Sequence, residues 1–425
     1  NPDKQGFRDE FSGKLKKQKI AIGYVPEDAV SVGCYRRSVD ITTDQLKERV
    51  IFRVGAVEAG ISIFVNGKEA GYSQDSYTPA EFNITPFLRP GKNTLAMKVY
   101  RWTDGSYMEA QDMVRFVGIF RDVFLRFDTL QRIEDISFMG TPAQDLKTVN
   151  AVYDLDIDNH SSKELKDAVV DFALYELGSI KPEKEWSKKA GNIPGNGTIN
   201  VAGAIDFNGL KLWSPDRPNL YSLVASLRGA DNKVMQFVRI DTGFRLFENR
   251  DGNFYLNNKR FFLKGVNRHD HHPKFGRQVT VESMIRDIEL MKQNNINTVR
   301  TAHYPNDERW YYLCNRYGMA MVDEANVEAH ALEEVFNHEV WYPQAVDRMV
   351  NVVERDKNHP AVFIWSMGNE QGWGWNKGFD MQYDKAKELD PTRLIMCERG
   401  NRDKKGFSPP NSEKPDTMSP MYGAL

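Results

Sequence analysis

Polar side chains that could bind a metal ion or transfer a proton follow six short apolar runs in the C-terminal half of the chain. One run, 361–365, leads into Gly368-Asn369-Glu370-Gln371-Gly372, which is typical of a buried strand that ends in a loop. Parallel barrels build their active sites at the C-terminal ends of their strands, so the pattern predicts an enzyme with Glu370 in its active site. The polar residues after the other runs are His269, His271, His272, Arg300, His303, Glu328, His330, Glu398 and Tyr422.

Two of these residues, Glu328 and His330, are separated by one position. On an extended segment their side chains point to the same side. A carboxylate and an imidazole in this arrangement can share a divalent ion, with Glu370 as a third ligand. A Glu-His ion pair explains the same spacing equally well, so both interpretations remain open.

The types of polar residue favour glycoside hydrolysis. Carboxylates, histidines, asparagines and tryptophans are abundant, whereas the sequence contains no nucleophile elbow, phosphate-binding glycine loop or zincin motif. Glycoside hydrolysis uses two carboxyl groups, one as proton donor and one as nucleophile or base. Glu370 suits the donor, because a metal ion or partial burial can tune its pKa.

The elements that must position these residues alternate between strands and helices after Gly243. Predicted helices follow Thr280, carry Trp310 to Tyr317 and Ala345 to Val353, and cover 379–389. A closed (β/α)₈ barrel needs eight strands, so the chain predicts a partial barrel. The six predicted strands are 261–266, 297–301, 319–322, 361–365, 394–397 and 416–420.

The N-terminal half predicts two β-sandwiches. Residues Ile61, Ile63 and Val65 alternate with other residues and lead into the hairpin dipeptide Asn66-Gly67. Tyr153, Leu155 and Ile157 repeat the alternation in the second sandwich. The predicted domains are a jelly-roll sugar-binding sandwich at 1–127, incomplete at its N-terminus, an immunoglobulin-like sandwich at 128–245, and a catalytic barrel at 246–425.

One loop of the first sandwich offers groups that sugar recognition uses. Trp102 provides a stacking face, Asp104 an acceptor and Tyr107 a hydroxyl. An ordinary turn at Asp104-Gly105-Ser106 explains the loop as well.

The composition excludes several classes of protein. A length of 425 residues suggests about three domains. The net charge of -2 argues against nucleic acid and membrane surfaces as partners, and no apolar stretch reaches the roughly 18 residues of a membrane span. The polar start, Asn1-Pro2-Asp3-Lys4, argues against a signal peptide. Three separated cysteines argue against a disulfide framework and favour the cytoplasm, with the periplasm as the alternative.

Whole motifs of the chain resemble the large bacterial β-galactosidases of glycoside hydrolase family 2. Within this family the Tyr72 to Ser76 and Trp102 to Tyr107 loops favour β-galactosidase over β-glucuronidase and β-mannosidase. The resemblance extends over nearly the whole chain. Its motifs are 71–82, 101–122, 212–221, 265–273, 291–305, 323–330, 358–372 and 420–422.

The resemblance implies a retaining mechanism, a small β-galactoside such as lactose as substrate, and a homo-oligomer for the full-length protein. Glu370 would be the general acid/base, and the ions would be Mg²⁺ and Na⁺. The other implied roles are substrate binding by Asn369, Asp104 and Trp102, transition-state stabilisation by His269 and His303, a place near the nucleophile for Tyr422, Mg²⁺ binding by Glu328, His330 and Glu370, and Na⁺ binding by Asp104.

The chain departs from the family pattern at two points. The family nucleophile ends the seventh barrel strand, whereas this chain has six predicted strands, and Glu398 follows the fifth. The family also carries a substrate-contacting Asn before Gly33-Cys34-Tyr35, where this chain offers Asp28. We therefore expect the N-terminal portion of a β-galactosidase, inactive alone. The alternatives are a noncatalytic carbohydrate-binding protein and another family-two β-glycosidase.

Overall fold

The computed structural model describes residues 23–25, 30–330, 332, 335–336, 338–370, 376–399, 402–403, 406–407 and 414–420. These residues form two antiparallel β-sandwiches followed by a parallel sheet with helices, as the sequence predicts. Across this part of the chain, no helix has the length and apolarity needed to span a bilayer. The α-helices are α1 (Val281–Gln293), α2 (Glu308–Tyr317), α3 (Tyr342–Asp356) and α4 (Asn376–Leu389).

The first sandwich packs a four-stranded sheet, in the order β1-β7-β4-β5, against a three-stranded sheet, in the order β6-β2-β9. The predicted hairpin at Asn66-Gly67 is confirmed: it joins β4 to β5, and both residues have positive φ, 51° and 84°. Its strands are β1 (Val32–Ile41), β2 (Arg49–Val54), β3 (Val57–Glu58), β4 (Gly60–Val65), β5 (Lys68–Ser73), β6 (Ala80–Asn83), β7 (Gly91–Tyr100), β8 (Gly118–Ile119) and β9 (Val123–Asp128).

The second sandwich has sheets in the orders β10-β11-β14 and β13-β12-β17-β18. The predicted alternation is confirmed, because Tyr153, Leu155 and Ile157 are buried while Asp154 and Asp156 are exposed. Its strands, including a small β15-β16 pair, are β10 (Gln131–Pro142), β11 (Thr148–Asn159), β12 (Leu165–Glu176), β13 (Pro182–Ile193), β14 (Gly197–Asn208), β15 (Trp213–Ser214), β16 (Arg217–Pro218), β17 (Tyr221–Arg228) and β18 (Val234–Thr242).

The C-terminal region begins with the antiparallel sheet β19-β20-β21 and continues as six parallel strands, ordered β22-β23-β24-β25-β26-β29. The prediction of six strands is confirmed, and among the described residues the sheet does not close. The strands are β19 (Phe247–Arg250), β20 (Asn253–Leu256), β21 (Lys259–Arg260), β22 (Gly265–Arg268), β23 (Thr298–Thr301), β24 (Ala320–Glu324), β25 (Val362–Ser366), β26 (Leu394–Arg399), β27 (Arg402–Asp403), β28 (Gly406–Phe407) and β29 (Thr417–Pro420).

The first parallel strand begins later than the predicted range of 261–266. Phe261 instead continues the preceding hairpin, since its backbone N–H donates to the Phe254 carbonyl at 2.8 Å. Its ring packs 6.2 Å from that of Phe247 and 5.8 Å from that of Phe363. Phe261 therefore packs against the parallel sheet at Phe363 before the first parallel strand starts.

The helices begin and end at local signals in the sequence. Thr280 caps α1, and its hydroxyl accepts a hydrogen bond from the Ser283 backbone N–H. Gly318 ends α2 with a left-handed φ of 71°, so the chain turns out of the helix before β24 begins. A Cβ on Gly318 would lie 2.2 Å from the Pro215 carbonyl oxygen, so this turn also sets how closely the second sandwich approaches.

We expect Gly318→Ala to lower the free energy of unfolding by about 1–2 kcal/mol through its left-handed backbone. Displacing Pro215 should add about 1–3 kcal/mol. The measurement is urea unfolding, and the control is Gly276→Ala, which has a φ of 63° but whose Cβ would meet only ordinary contacts at 3.6 Å. Equal losses in the two variants would contradict the close approach to Pro215.

Candidate active site

Three potential metal ligands converge at the C-terminal end of the parallel sheet. Glu328 and His330 lie beyond β24, and Glu370 lies beyond β25. One ligand atom from each lies within 4.8 Å of the others, and Glu328 is fully buried. His330 Nδ1 contacts Glu370 Oε2 directly. The two loops are joined by a hydrogen bond from the Asn369 N–H to the Val327 carbonyl at 2.9 Å.

Two carboxylates and an imidazole are a suitable donor set for a divalent cation, and Mg²⁺ prefers the carboxylate oxygens. The structure pairs His330 with Glu370, whereas the ion pair that the sequence spacing left open was between Glu328 and His330. Glu370 has a φ of 37°, which is unusual for a residue other than glycine. Such backbone conformations cluster at functional sites, where surrounding contacts hold them.

A loop of the first sandwich reaches this cluster. Glu109 and Glu328 form an isolated parallel β-bridge, in which the Ala110 N–H donates to the Glu328 carbonyl and the Glu328 N–H donates to the Met108 carbonyl. The Asp112 N–H donates to Glu328 Oε1 at 3.2 Å, and Asp112 Oδ2 lies 3.8 Å from His330 Nε2. The cluster is therefore built by two domains.

Buried polar contacts of Glu109 also hold this loop in place. Arg348 of α3 donates to Glu109 Oε1 at 2.8 Å, and Ser76 donates to the same carboxylate through its N–H and its hydroxyl. Burial raises the pKa of Glu109 to about 7, while the charge of Arg348 acts in the opposite direction. Gln111 donates to Asn326 Oδ1 at 2.8 Å, so a side-chain hydrogen bond also joins this loop to the loop beyond β24.

Glu324, the last residue of β24, is the centre of a polar network that the sequence analysis missed. Arg300 donates to it at 2.6 Å and Ser366 at 2.7 Å, while His303 Nδ1 lies 2.8 Å away. Arg300 also donates to Asn369 Oδ1 at 3.0 Å, which orients the residue beside Glu370. Burial opposes ionisation of Glu324, but the charge of Arg300 and the hydrogen bonds from His303 and Ser366 lower its pKa to about 2.

His269 and His303 lie together, with ring centroids 5.6 Å apart. Burial, reinforced by His303 and His271, lowers the pKa of His269 to about 4, so this imidazole is neutral at physiological pH. His269 Nδ1 lies 3.2 Å from the Tyr304 hydroxyl. Burial raises the pKa of Tyr304 to about 12, so its hydroxyl keeps its proton.

The predicted sugar-binding residues of the first sandwich occupy different environments. Asp104 is exposed, and its Oδ1 accepts from the Gly105 N–H at 2.9 Å. Trp102 is only 3% exposed, with Arg101 and Arg115 near its ring. It lines a cavity of about 400 Å³ together with Tyr35 and Tyr100. Tyr107 is fully buried, and its hydroxyl donates to the Tyr24 carbonyl at 2.8 Å.

Trp102 and Tyr107 are thus buried in the loop, whereas Asp104 is exposed, and sugar binding by Trp102 and Asp104 stays a prediction. The other predicted site positions, Tyr422 and Asp28, lie outside the described residues, as does the side chain of Glu398.

Three family models match the chain. Residues 17–128 match the sugar binding domain of glycosyl hydrolases family 2, residues 131–245 match the domain named for the family itself, and residues 247–414 match the TIM barrel domain of the same family. Together they extend over nearly the whole chain.

The curated relatives include β-galactosidases of Pectobacterium atrosepticum and Vibrio cholerae, which are 38% identical to this chain over 411 and 409 residues. Each match covers 95% of this chain and 38% of the relative. The chain therefore spans well under half the length of these relatives.

The structural neighbours share the fold at lower identity. A Bacteroides fragilis protein described as a candidate β-galactosidase matches with a TM-score of 0.81 and 21% identity, covering 92% of this chain and 58% of its own. The β-glucuronidase of Bacteroides uniformis matches with a TM-score of 0.76 and 22% identity, covering 86% of this chain and 46% of its own. The β-glucuronidase of Bifidobacterium dentium, complexed with coumarin-3-O-glucuronide, matches with a TM-score of 0.74 and 23% identity, covering 88% of this chain and 66% of its own.

Proposed function

The chain belongs to glycosyl hydrolase family 2, and we propose that the protein containing it is a retaining β-galactosidase that releases terminal β-D-galactose from substrates such as lactose. The observation that carries the proposal is the cluster of Glu328, His330 and Glu370 at the C-terminal end of the parallel sheet. The names of the relatives at 38% identity support galactose as the sugar. The β-glucuronidase neighbours, at 22% and 23% identity, support only the fold.

In the proposed mechanism Glu370 protonates the glycosidic oxygen as the bond to the leaving group breaks. A second carboxylate, to which we assign no residue of this chain, attacks the anomeric carbon and forms a covalent glycosyl intermediate. Glu370 then removes a proton from the water that releases galactose. Asn369, oriented by Arg300, is proposed to bind the sugar next to Glu370.

The neighbouring imidazoles have a related role in this proposal. His303, held through Nδ1 by Glu324, and neutral His269 are proposed to contact sugar hydroxyls and to stabilise the transition state. The neutral imidazole of His269 can donate and accept hydrogen bonds without adding a full charge beside the oxocarbenium-like centre. Tyr422 is proposed to lie near the nucleophile.

We further propose that Glu328, His330 and Glu370 hold Mg²⁺, and that Asp104 contributes to Na⁺ binding and contacts the galactose hydroxyls. A bound Mg²⁺ would supply positive charge that favours the ionised form of Glu370 between proton transfers. The buried Glu328 carboxylate beside a second carboxylate and an imidazole fits such a cation. For Na⁺ the exposed carboxylate of Asp104 would supply one ligand.

The test is hydrolysis of aryl β-galactoside, β-glucuronide and β-mannoside by the complete protein, with and without Mg²⁺ after chelation. We expect hydrolysis of the galactoside, weakened by chelation and restored by Mg²⁺. Preference for the glucuronide or the mannoside would reject the proposed sugar. Galactose binding without hydrolysis of any substrate would favour a carbohydrate-binding protein instead.

A further inference from the structure

We propose that Glu109 is a positioning residue for the candidate ion site, because its ion pair with Arg348 holds the loop that orients Glu328. The inference rests on the proposed function, in which Glu328 is an ion ligand. It assigns the first sandwich a part in assembling the barrel's ion site, separate from contact with the sugar.

The first step is the contact between the loop and Glu328. The β-bridge between Glu109 and Glu328 fixes the backbone of the ligand, with hydrogen bonds of 2.9 and 2.7 Å on either side. The Asp112 N–H then fixes the side chain by donating to Glu328 Oε1 at 3.2 Å. A carboxylate that is held both at its backbone and at one oxygen has little freedom to turn away from an ion.

The second step is the anchor of the loop. Glu109 and Arg348 are 1% and 3% exposed, so their ion pair is shielded from water. Arg348 lies one turn before Asn351 on α3, and Asn351 donates to Asp75 Oδ2 at 3.2 Å. One face of α3 therefore holds two loops of the first sandwich, one through Glu109 and the other through Asp75.

The third step is the consequence of losing the anchor. Removing the Glu109 carboxylate takes the hydrogen-bonded partner from the buried Arg348 charge and leaves only the fields of Asp75 and Asp347, which favours rearrangement. Here the rearrangement would draw Arg348 away from the loop and loosen the bridge to Glu328. Groups that orient metal ligands typically change metal affinity roughly 10- to 100-fold when mutated.

The experiment measures Mn²⁺ binding to the complete protein by electron paramagnetic resonance, with Mg²⁺ as competitor and at a pH above the pKa of Glu109, where its ion pair with Arg348 is formed. We expect Glu109→Gln to raise the dissociation constant for Mn²⁺ roughly 10-fold or more. The matched control is Glu308→Gln, which removes another ion pair between the same two domains, that of Arg53 with Glu308 at 2.5 Å. The control should bind Mn²⁺ as the wild type does.

Two further variants separate positioning from folding. Arg348→Lys keeps the charge and should retain most of the affinity for Mn²⁺. The double variant Glu109→Gln with Arg348→Met removes both charges of the pair, so it should fold with a wild-type thermal transition and still bind Mn²⁺ weakly because the link to α3 is missing.

Wild-type affinity for Mn²⁺ in the folded double variant would overturn the inference, as would equal losses in Glu109→Gln and Glu308→Gln. A wild-type protein that binds no Mn²⁺ would also overturn it. The proposed function can also fail separately. If Glu109→Gln binds Mn²⁺ weakly while the wild type hydrolyses no β-galactoside, the inference is supported and the proposed function is rejected.

Discussion

Replacing Glu370 with glutamine is expected to lower kcat/KM for β-galactosides by about 10²- to 10⁴-fold, the usual contribution of general acid–base catalysis. Glutamine preserves the size of the side chain but cannot donate a proton to the glycosidic oxygen. The loss should be largest for poor leaving groups, such as the sugar of lactose, and smallest for aryl groups that depart without protonation. The measurement is steady-state hydrolysis across a series of leaving groups.

The control for this prediction is Glu388→Gln, which neutralises an exposed carboxylate on α4. We expect it to match the wild type with every leaving group. A uniform loss in Glu370→Gln, independent of the leaving group, would contradict the role of proton donor and would indicate that Glu370 serves the site through ion binding alone.

Replacing Glu324 with glutamine is expected to lower the free energy of unfolding by about 3–5 kcal/mol, because it breaks a buried ion pair and leaves the Arg300 charge uncompensated. Activity should fall roughly 100-fold as His303 and Asn369 lose their fixed orientations. The measurements are urea unfolding and kcat/KM. The double variant Glu324→Gln with Arg300→Gln should recover part of the stability, because it removes the uncompensated charge. It should not recover the activity.

The same network predicts a pH dependence of stability. The pKa of Glu324 is lowered to about 2, below its ordinary value of 4.5, so its stabilising contribution is complete above about pH 4.5 and is lost as the pH falls towards 2. In Glu324→Gln this contribution should be missing from the acid limb of the unfolding curve. An unchanged acid limb would contradict the ionised state of Glu324 in the folded protein.

Much of the fold follows from periodicity and turn chemistry in the sequence. The six parallel strands are visible as apolar runs, and the ends of α1 and α2 are marked by Thr280 and Gly318. The predicted start of β22 was too early, because Phe261 is apolar for another reason: it packs against Phe247 and Phe363. A pattern of hydrophobicity reports that a residue is buried but not which neighbour buries it.

The candidate site was only partly predictable. The spacing of Glu328 and His330 and the position of Glu370 after the next strand were enough to bring the three together. Glu324 was missed because a carboxylate at the end of a strand gives no sign of its partners, which come from β23, the loop after β23, and β25. For Trp102 the residue type suits sugar stacking, but the sequence could not show that the side chain is buried, because its burial depends on long-range packing.

The most direct test of retaining β-galactosidase activity is the anomeric form of the first sugar released. Proton NMR of the complete protein with an aryl β-galactoside would follow the anomeric signals before they equilibrate. Double displacement with Glu370 as acid and base predicts that β-galactose appears first and is converted later to the equilibrium mixture. Initial appearance of α-galactose, or no release of galactose at all, would contradict the account.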